Sequence, residues 1–258
     1  MSLSRFTPHL SRAFRLPMEQ PAPFLRGALP WLAVALAAHL LTLLPMKAAP
    51  LAAFALNALA VGGFAVAWMR FVAFGETPRP LALGLRPLLF MVAYQVALMF
   101  ESIPQPFLQM LLVDVKDGQL LALAGVQLFQ LLIGGFFLVL PHIALATRQE
   151  AGGTRLQRMV LAGGLGVGMG YVLGGLPFLV MNMLWDDVAA SLPAGGLVDF
   201  ASHSVRVMVN FAAVAVMSGY FAQVWQDLKD ADPFAPAGSP PDEPEKPRRT
   251  ERLSRRKR

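Results

Sequence analysis

The sequence predicts an all-α membrane protein with six transmembrane helices and both termini in the cytoplasm. Three observations carry this. Of the 258 residues, 55% are hydrophobic and only 15% charged, whereas a soluble domain carries roughly a quarter charged residues. The mean hydropathy is +0.52. The apolar residues also fall into runs close to the ~20 residues that cross a hydrocarbon core, and the basic residues gather in alternate gaps between those runs. This pattern excludes an ordinary soluble enzyme, a disordered chain and a collagen. The chain has no cysteine, so disulfides, zinc–thiolate sites, iron–sulfur clusters and thiol nucleophiles are excluded as well.

The six runs cover 24–44, 51–74, 88–103, 120–146, 159–184 and 200–224. Each is too long for a strand, and none alternates with period two. The first has a basic lead and small residues after Pro45, the layout of a secretory signal. Its long lead, Lys47 and the flanking prolines argue for a retained helix. Before it, residues 1–23 form a cytoplasmic tail. Phe6, Leu10 and Phe14 share a face at helical spacing, which predicts a short interfacial helix limited by Pro8 and Pro17 to about two turns. The six-helix domain then spans 24–230. Residues 231–258 are proline-rich and acidic, then basic, and too poor in large apolar residues to fold.

Orientation follows from charge. Arg5, Arg12, Arg15 and Arg26 precede the first run. Arg70, Arg79 and Arg86 join the second to the third, and Arg148, Arg155 and Arg158 the fourth to the fifth. Nine further basic residues follow Trp225. The opposite side has only Lys47 and Lys116 and is otherwise acidic, with Asp114, Asp117, Asp186, Asp187 and Asp199. Positive residues stay inside, so both termini are expected in the cytoplasm. Gly62-Gly63-Phe64 and Gly134-Gly135-Phe136 stand 72 residues apart, as do Arg86 and Arg158. That spacing fits three repeated hairpins, and equally a chance recurrence of small residues.

Polar side chains inside spans are costly and mark candidate sites. Here they are His39, Asn57, Tyr94, Gln95, Gln127, Gln130, Asn182, His203, Arg206 and Asn210. For the amides, interhelical hydrogen bonding is the simpler explanation, at about 0.6 kcal/mol per bond. His39 has no second histidine at helical spacing. His203, Arg206 and Asn210 are three and four apart and line one helix face near the outer end. Glu101 ends the third run on that side. Together they suggest an outer-face ionic site, with Glu101 or Asp199 as the carboxylate for Arg206. Gly166, Gly170 and Gly174 form a small-xxx-small stripe, expected to let two helix backbones approach closely. No catalytic motif, metal set or dinucleotide fingerprint is present in the sequence, so neither an enzyme nor a cofactor is expected.

The second run closes with AWMRFVAFGETPRP, residues 67–80. Trp68 and Arg70 are expected at the membrane interface, with Gly75 as the helix stop. Through Trp68, Arg70, Phe71, Gly75 and Glu76, this run resembles one in uncharacterised bacterial multi-pass inner-membrane proteins. These are similar in layout to glycerophosphodiester phosphodiesterase membrane domains and Yip1-type proteins. The resemblance implies a hairpin-built membrane domain in the bacterial inner (plasma) membrane, without a phosphodiesterase domain.

Two functions follow as expectations. The first is a non-catalytic inner-membrane protein that organises lipid or partner proteins, including copies of itself. The alternative is a small transporter or transport accessory. Besides the bilayer, the expected partner is anionic lipid at the basic end, Arg248, Arg249, Arg252, Arg255, Arg256, Lys257 and Arg258. Nucleic acid is not expected, because no aromatic residue interleaves these arginines to stack on bases. The topology is tested with reporters: fusion after Arg258 or insertion at Gly152 is expected to report cytoplasm, and insertion at Gly195 the periplasm. A periplasmic C-terminal signal overturns the six-helix arrangement.

Overall fold

A computed structural model describes residues 6–42, 45–147, 153–193 and 195–231. The basic end at 248–258 and Arg148 lie outside the described residues. Among the described residues the chain is helical, with no strand: α1 Phe6–Glu19, α2 Pro21–Thr42, α3 Ala49–Phe74, α4 Leu85–Ser102, α5 Pro104–Leu111, α6 Gly118–Ile133, a 3₁₀ segment Gly134–Leu138, α7 Val139–Leu145, α8 Gly153–Ala190 and α9 Gly196–Asp230. Six stretches are long and apolar enough to cross a membrane: Pro21–Thr42, Ala49–Phe74, Leu85–Leu111, Gly118–Leu145, Leu156–Ala190 and Val198–Asp230. The chain is therefore a multi-pass membrane protein.

Three of the six spans are interrupted, which hydropathy alone does not reveal. The third runs through a break to Leu111 instead of stopping at 103. Pro104 has no amide hydrogen to continue the helical ladder. The Ile103 amide instead donates to the Phe100 carbonyl, 3.3 Å away, three residues back. The fourth span tightens into the 3₁₀ segment at Gly134-Gly135. The fifth is non-helical at Gly164, with φ 26° and ψ −121°. That conformation strains any residue with a Cβ, so glycine is required there.

These interruptions coincide with the tightest backbone packing. A Cβ on Gly134 would overlap the backbone of Gly168, and one on Gly168 the Leu131 carbonyl. A Cβ on Gly135 would stand 2.6 Å from the Val160 carbonyl oxygen. Close backbone approach is thus made by these glycines and not by the predicted stripe. Gly166, Gly170 and Gly174 instead seat side chains: the Phe6 ring, the Tyr220 ring, and Leu10 with Met217 respectively. Tyr220 also donates to the Gly166 carbonyl at 3.2 Å.

Helix α1 departs from the expectation of two turns. It has 14 residues. Pro8 falls in the first turn, where no amide hydrogen is needed. Pro17 falls just before the end. The helix packs against α8 and α9, burying Phe6, Ala13 and Leu16. His9 Nε2 lies 2.7 Å from Asp227 Oδ2, and Phe14 stacks on Phe178. The segment is therefore part of the bundle and not a separate surface helix.

Helix α9 lies at the centre, touching α1, α2, α3, α7 and α8. In its most apolar stretch the sixth span is 67% buried, against 6% for the third. Trp68, expected at the membrane interface, packs inside the bundle. It is fully buried, and its indole N–H donates to the Ala215 carbonyl of α9 at 3.0 Å. An indole buried without that acceptor would be costly in hydrocarbon. Trp31 is likewise buried, in the notch left by Gly63.

At the opposite end, Gly75 closes α3 with φ 68°, as the sequence predicted, and its amide donates to the Phe71 carbonyl at 2.8 Å. Arg70 forms a two-point ion pair with Glu76, its Nε 2.7 Å from Oε2. Arg70 and Arg86 both donate to the Ala144 carbonyl at 3.3 Å, and Arg86 also to that of Ala146 at 3.1 Å. Two arginines thus satisfy the open carbonyls at the end of α7 and complement its dipole. Hydrogen bonding to Arg70 holds the Glu76 carboxyl below its usual range. Its stabilising contribution is therefore complete at neutral pH and is lost as pH falls through that lowered range.

The glycine contacts make a direct test. Gly170→Ala forces Tyr220 to move and is expected to cost about 1–3 kcal/mol. Gly175→Ala meets nothing within 4 Å and is expected to be neutral or stabilising by up to about 1 kcal/mol. Thermal unfolding in detergent checks the pair; equal effects overturn the assigned packing.

Candidate functional site

The interruptions surround one carboxylate. Glu101 ends the regular part of α4, just before the break at Ser102–Pro104. Because the third candidate span continues to Leu111, Glu101 falls inside that span and not at its end. Gln130 comes from α6, one turn before the 3₁₀ segment. Tyr171 comes from α8, two turns beyond Gly164. Gln130 donates its amide to Glu101 Oε1. The Tyr171 hydroxyl donates across both carboxylate oxygens, at 2.8 and 2.9 Å. Among the described residues, no basic side chain forms an ion pair with this carboxylate.

Glu101 and Tyr171 face a cavity of about 570 Å³ bounded by α3, α4, the 3₁₀ segment, α7, α8 and α9. At its open end stand Phe54, Asn57, His203, Arg206 and Asn210. Further in, Tyr94, Tyr171 and Glu101 form its polar wall. Its floor is apolar and largely aromatic, with Phe90, Phe137, Leu140 and Phe221. Phe137 stacks on Tyr171 with centroids 4.2 Å apart, and Phe221 lies 6.0 Å from the same ring. All four residues of the sequence-predicted ionic site, Glu101, His203, Arg206 and Asn210, therefore line one cavity. They do not contact one another as expected.

Arg206 pairs neither with Glu101 nor with Asp199. Its partner is Asp186, at 2.7 Å, and both side chains are about half exposed. The hairpin between the fifth and sixth spans sets Asp186 opposite Arg206, whereas Glu101 lies deeper and is held by Gln130 and Tyr171. Asn210 accepts from Asn182 at 3.3 Å. His203 stacks face to face on His39 of α2, centroids 3.6 Å apart. His39 thus has a histidine partner after all, on another helix. Gln127, on the same face as Gln130, does not line the cavity.

A second, wider cleft of about 1170 Å³ opens at the opposite end of the bundle, around Arg70, Arg79, Arg86, Pro87 and Ile143. Buried Val66, Met69, Phe90 and Leu140 belong to one cluster. Val66 faces this cleft, while the other three face the first cavity.

Among the described residues this arrangement defines an all-helical, multi-pass membrane protein with a largely apolar cavity inside the bundle that a few polar side chains enter. Comparison of the chain with family models, curated proteins and solved structures gives no match.

Sequence reasoning missed Tyr171, which lies within the glycine-rich run, and the role of Asp186. The available signal for Tyr171 was rarity: the chain has only three tyrosines, and a phenol within a span needs a partner.

The carboxylate makes a testable structural claim. Glu101→Leu leaves Gln130 and the Tyr171 hydroxyl without their acceptor, at about 1–3 kcal/mol for each orphaned group. Glu101→Gln keeps an amide oxygen that can accept from both Gln130 and Tyr171, as Oε1 does, and is expected to retain most of the stability. Arg206→Ala, at a half-exposed pair, is expected to change stability less than Glu101→Leu. Melting temperatures of the three variants check this order; an unaltered Glu101→Leu overturns it.

Proposed function

We propose that the chain is a small non-catalytic transporter, or the membrane subunit of one, in the bacterial inner membrane, with both termini cytoplasmic. One observation carries this: a partly buried carboxylate that has no basic partner among the described residues faces a largely apolar cavity inside the bundle, at the junction of three interrupted helices. Ionisable groups inside a membrane are expensive and typically mark a substrate or ion path. Irregular backbone at that depth is tolerated where it is buried in protein or lines a cavity. Discontinuous helices around a midplane site are the recurrent design of secondary transporters. A cavity toward one side and a cleft toward the other, with a buried apolar cluster between, fit alternating exposure of one site.

The basic loops support the orientation. The Trp68–Glu76 resemblance supports the inner-membrane location. The hairpin repeat has support in packing as well. Gly62 abuts Pro87 and Met91 of the following span, and Gly134 and Gly135 likewise abut the following span. An organising role for lipid or partners is the weaker account, because it gives the cavity beside the carboxylate no task.

Because the chain lacks cysteine, single thiols test alternating exposure without a known substrate. Ser218→Cys, at the buried part of the cavity wall, is treated with a charged, membrane-impermeant thiol reagent in right-side-out and inside-out vesicles. Labelling from both sides is expected, whereas Asn57→Cys, at the open end, is expected to react from the outside only. Labelling of Ser218→Cys from one side alone overturns transport and leaves a static pocket.

A further inference from the structure

Resting on that proposed site, we infer that its ligand is a lipophilic organic cation, with Glu101 as the counter-charge and an aromatic box as the binding surface. Phe90 and Tyr94 from α4, Phe137 from the 3₁₀ segment, Tyr171 from α8 and Phe221 from α9 all line the cavity that Glu101 faces. Phe137, Tyr171 and Phe221 form one cluster of near-parallel rings, with interplanar angles of 16 to 28°. Phe90 and Tyr94 form a second pair, 6.2 Å apart. Aromatic faces attract cations through the ring quadrupole, most strongly when the site is desolvated.

Charge decides the sign of the ligand. The carboxylate has two neutral donors and, among the described residues, no basic partner. The guanidinium on the cavity wall, Arg206, is already matched by Asp186 at 2.7 Å. An anion entering this box is repelled by the ionised carboxylate, and a neutral ligand leaves that charge to be compensated by a proton alone. A cation compensates it.

Chemistry decides between a metal ion and an organic cation. Hard metal ions take six or more oxygen ligands, Mg²⁺ keeping several of them as water. Here one carboxylate stands among rings, and no group of three or more His, Cys, Asp or Glu is gathered among the described residues. A ligand with a delocalised or shielded charge and apolar substituents suits these walls. The volume, about 570 Å³, lies in the range of small-molecule sites, roughly 300–1,000 Å³.

The test uses the full chain in lipid nanodiscs, with empty nanodiscs subtracted. Tetraphenylphosphonium and tetraphenylborate have the same shape and opposite charge. Saturable binding of the phosphonium is expected, with no saturable binding of the borate. Glu101→Gln, which keeps the hydrogen bonds to Gln130 and Tyr171, is expected to bind the phosphonium at least about tenfold more weakly while eluting as the wild type does on gel filtration. Phe137→Leu is expected to weaken binding to a smaller degree. Equal binding of the borate, wild-type affinity in Glu101→Gln, or no saturable phosphonium binding overturns the inference. The first comparison uses wild-type protein only, so misfolding of a variant cannot decide it. Two-sided labelling of Ser218→Cys without phosphonium binding leaves transport standing and rejects the cation. Glu101-dependent phosphonium binding with one-sided labelling does the reverse.

Discussion

A single carboxylate inside the third candidate span holds together the part of the bundle that the helical ladder does not. Each of the three spans that meet at Glu101 is broken near that point, by Pro104, by Gly134-Gly135 or by Gly164. A broken span loses the rigidity that lets helices pack as rods. Here the lost rigidity is replaced in two ways. Glycine backbones press together at Gly134, Gly135 and Gly168, and Gln130 and Tyr171 converge on one acidic side chain.

The ends of the bundle are built on another principle. Arg70 and Arg86 cover the carbonyls that end α7, and Glu76 returns the charge. These are contacts at the helix termini, where long basic side chains reach the interface and the dipole of the helix favours them. They fix the second, third and fourth spans relative to each other at one face. Motion between these spans is therefore expected to be greatest toward the other face, where the cavity opens.

Much of the fold was legible in the sequence, for a physical reason. Crossing a bilayer imposes a length and a composition on every span, and both are local properties. The six spans could be placed to within a few residues at most ends, and Gly75 could be read as a stop. What could not be read depends on neighbours in space. Trp68 has the sequence context of an interfacial residue, yet an acceptor on α9 draws it into the core. Gly166, Gly170 and Gly174 have the spacing of a backbone contact, yet they receive rings and side chains. The four residues of the predicted ionic site do share a cavity, because their depth follows from their position along a span. Their partners do not follow from depth, so Asp186 and Tyr171 emerged only from the packing.

The place of α9 has a consequence for biogenesis. The core is arranged around the sixth span, and α1, which emerges well before it, docks against α8 and α9. A nascent chain inserts its early spans long before that docking surface exists. Until the sixth span enters the bilayer, Trp31, Trp68 and the rings of α1 have no complete site to occupy. Assembly is thus a closing step that joins the two sequence-distant ends of the domain, the kind of long-range contact that folds late.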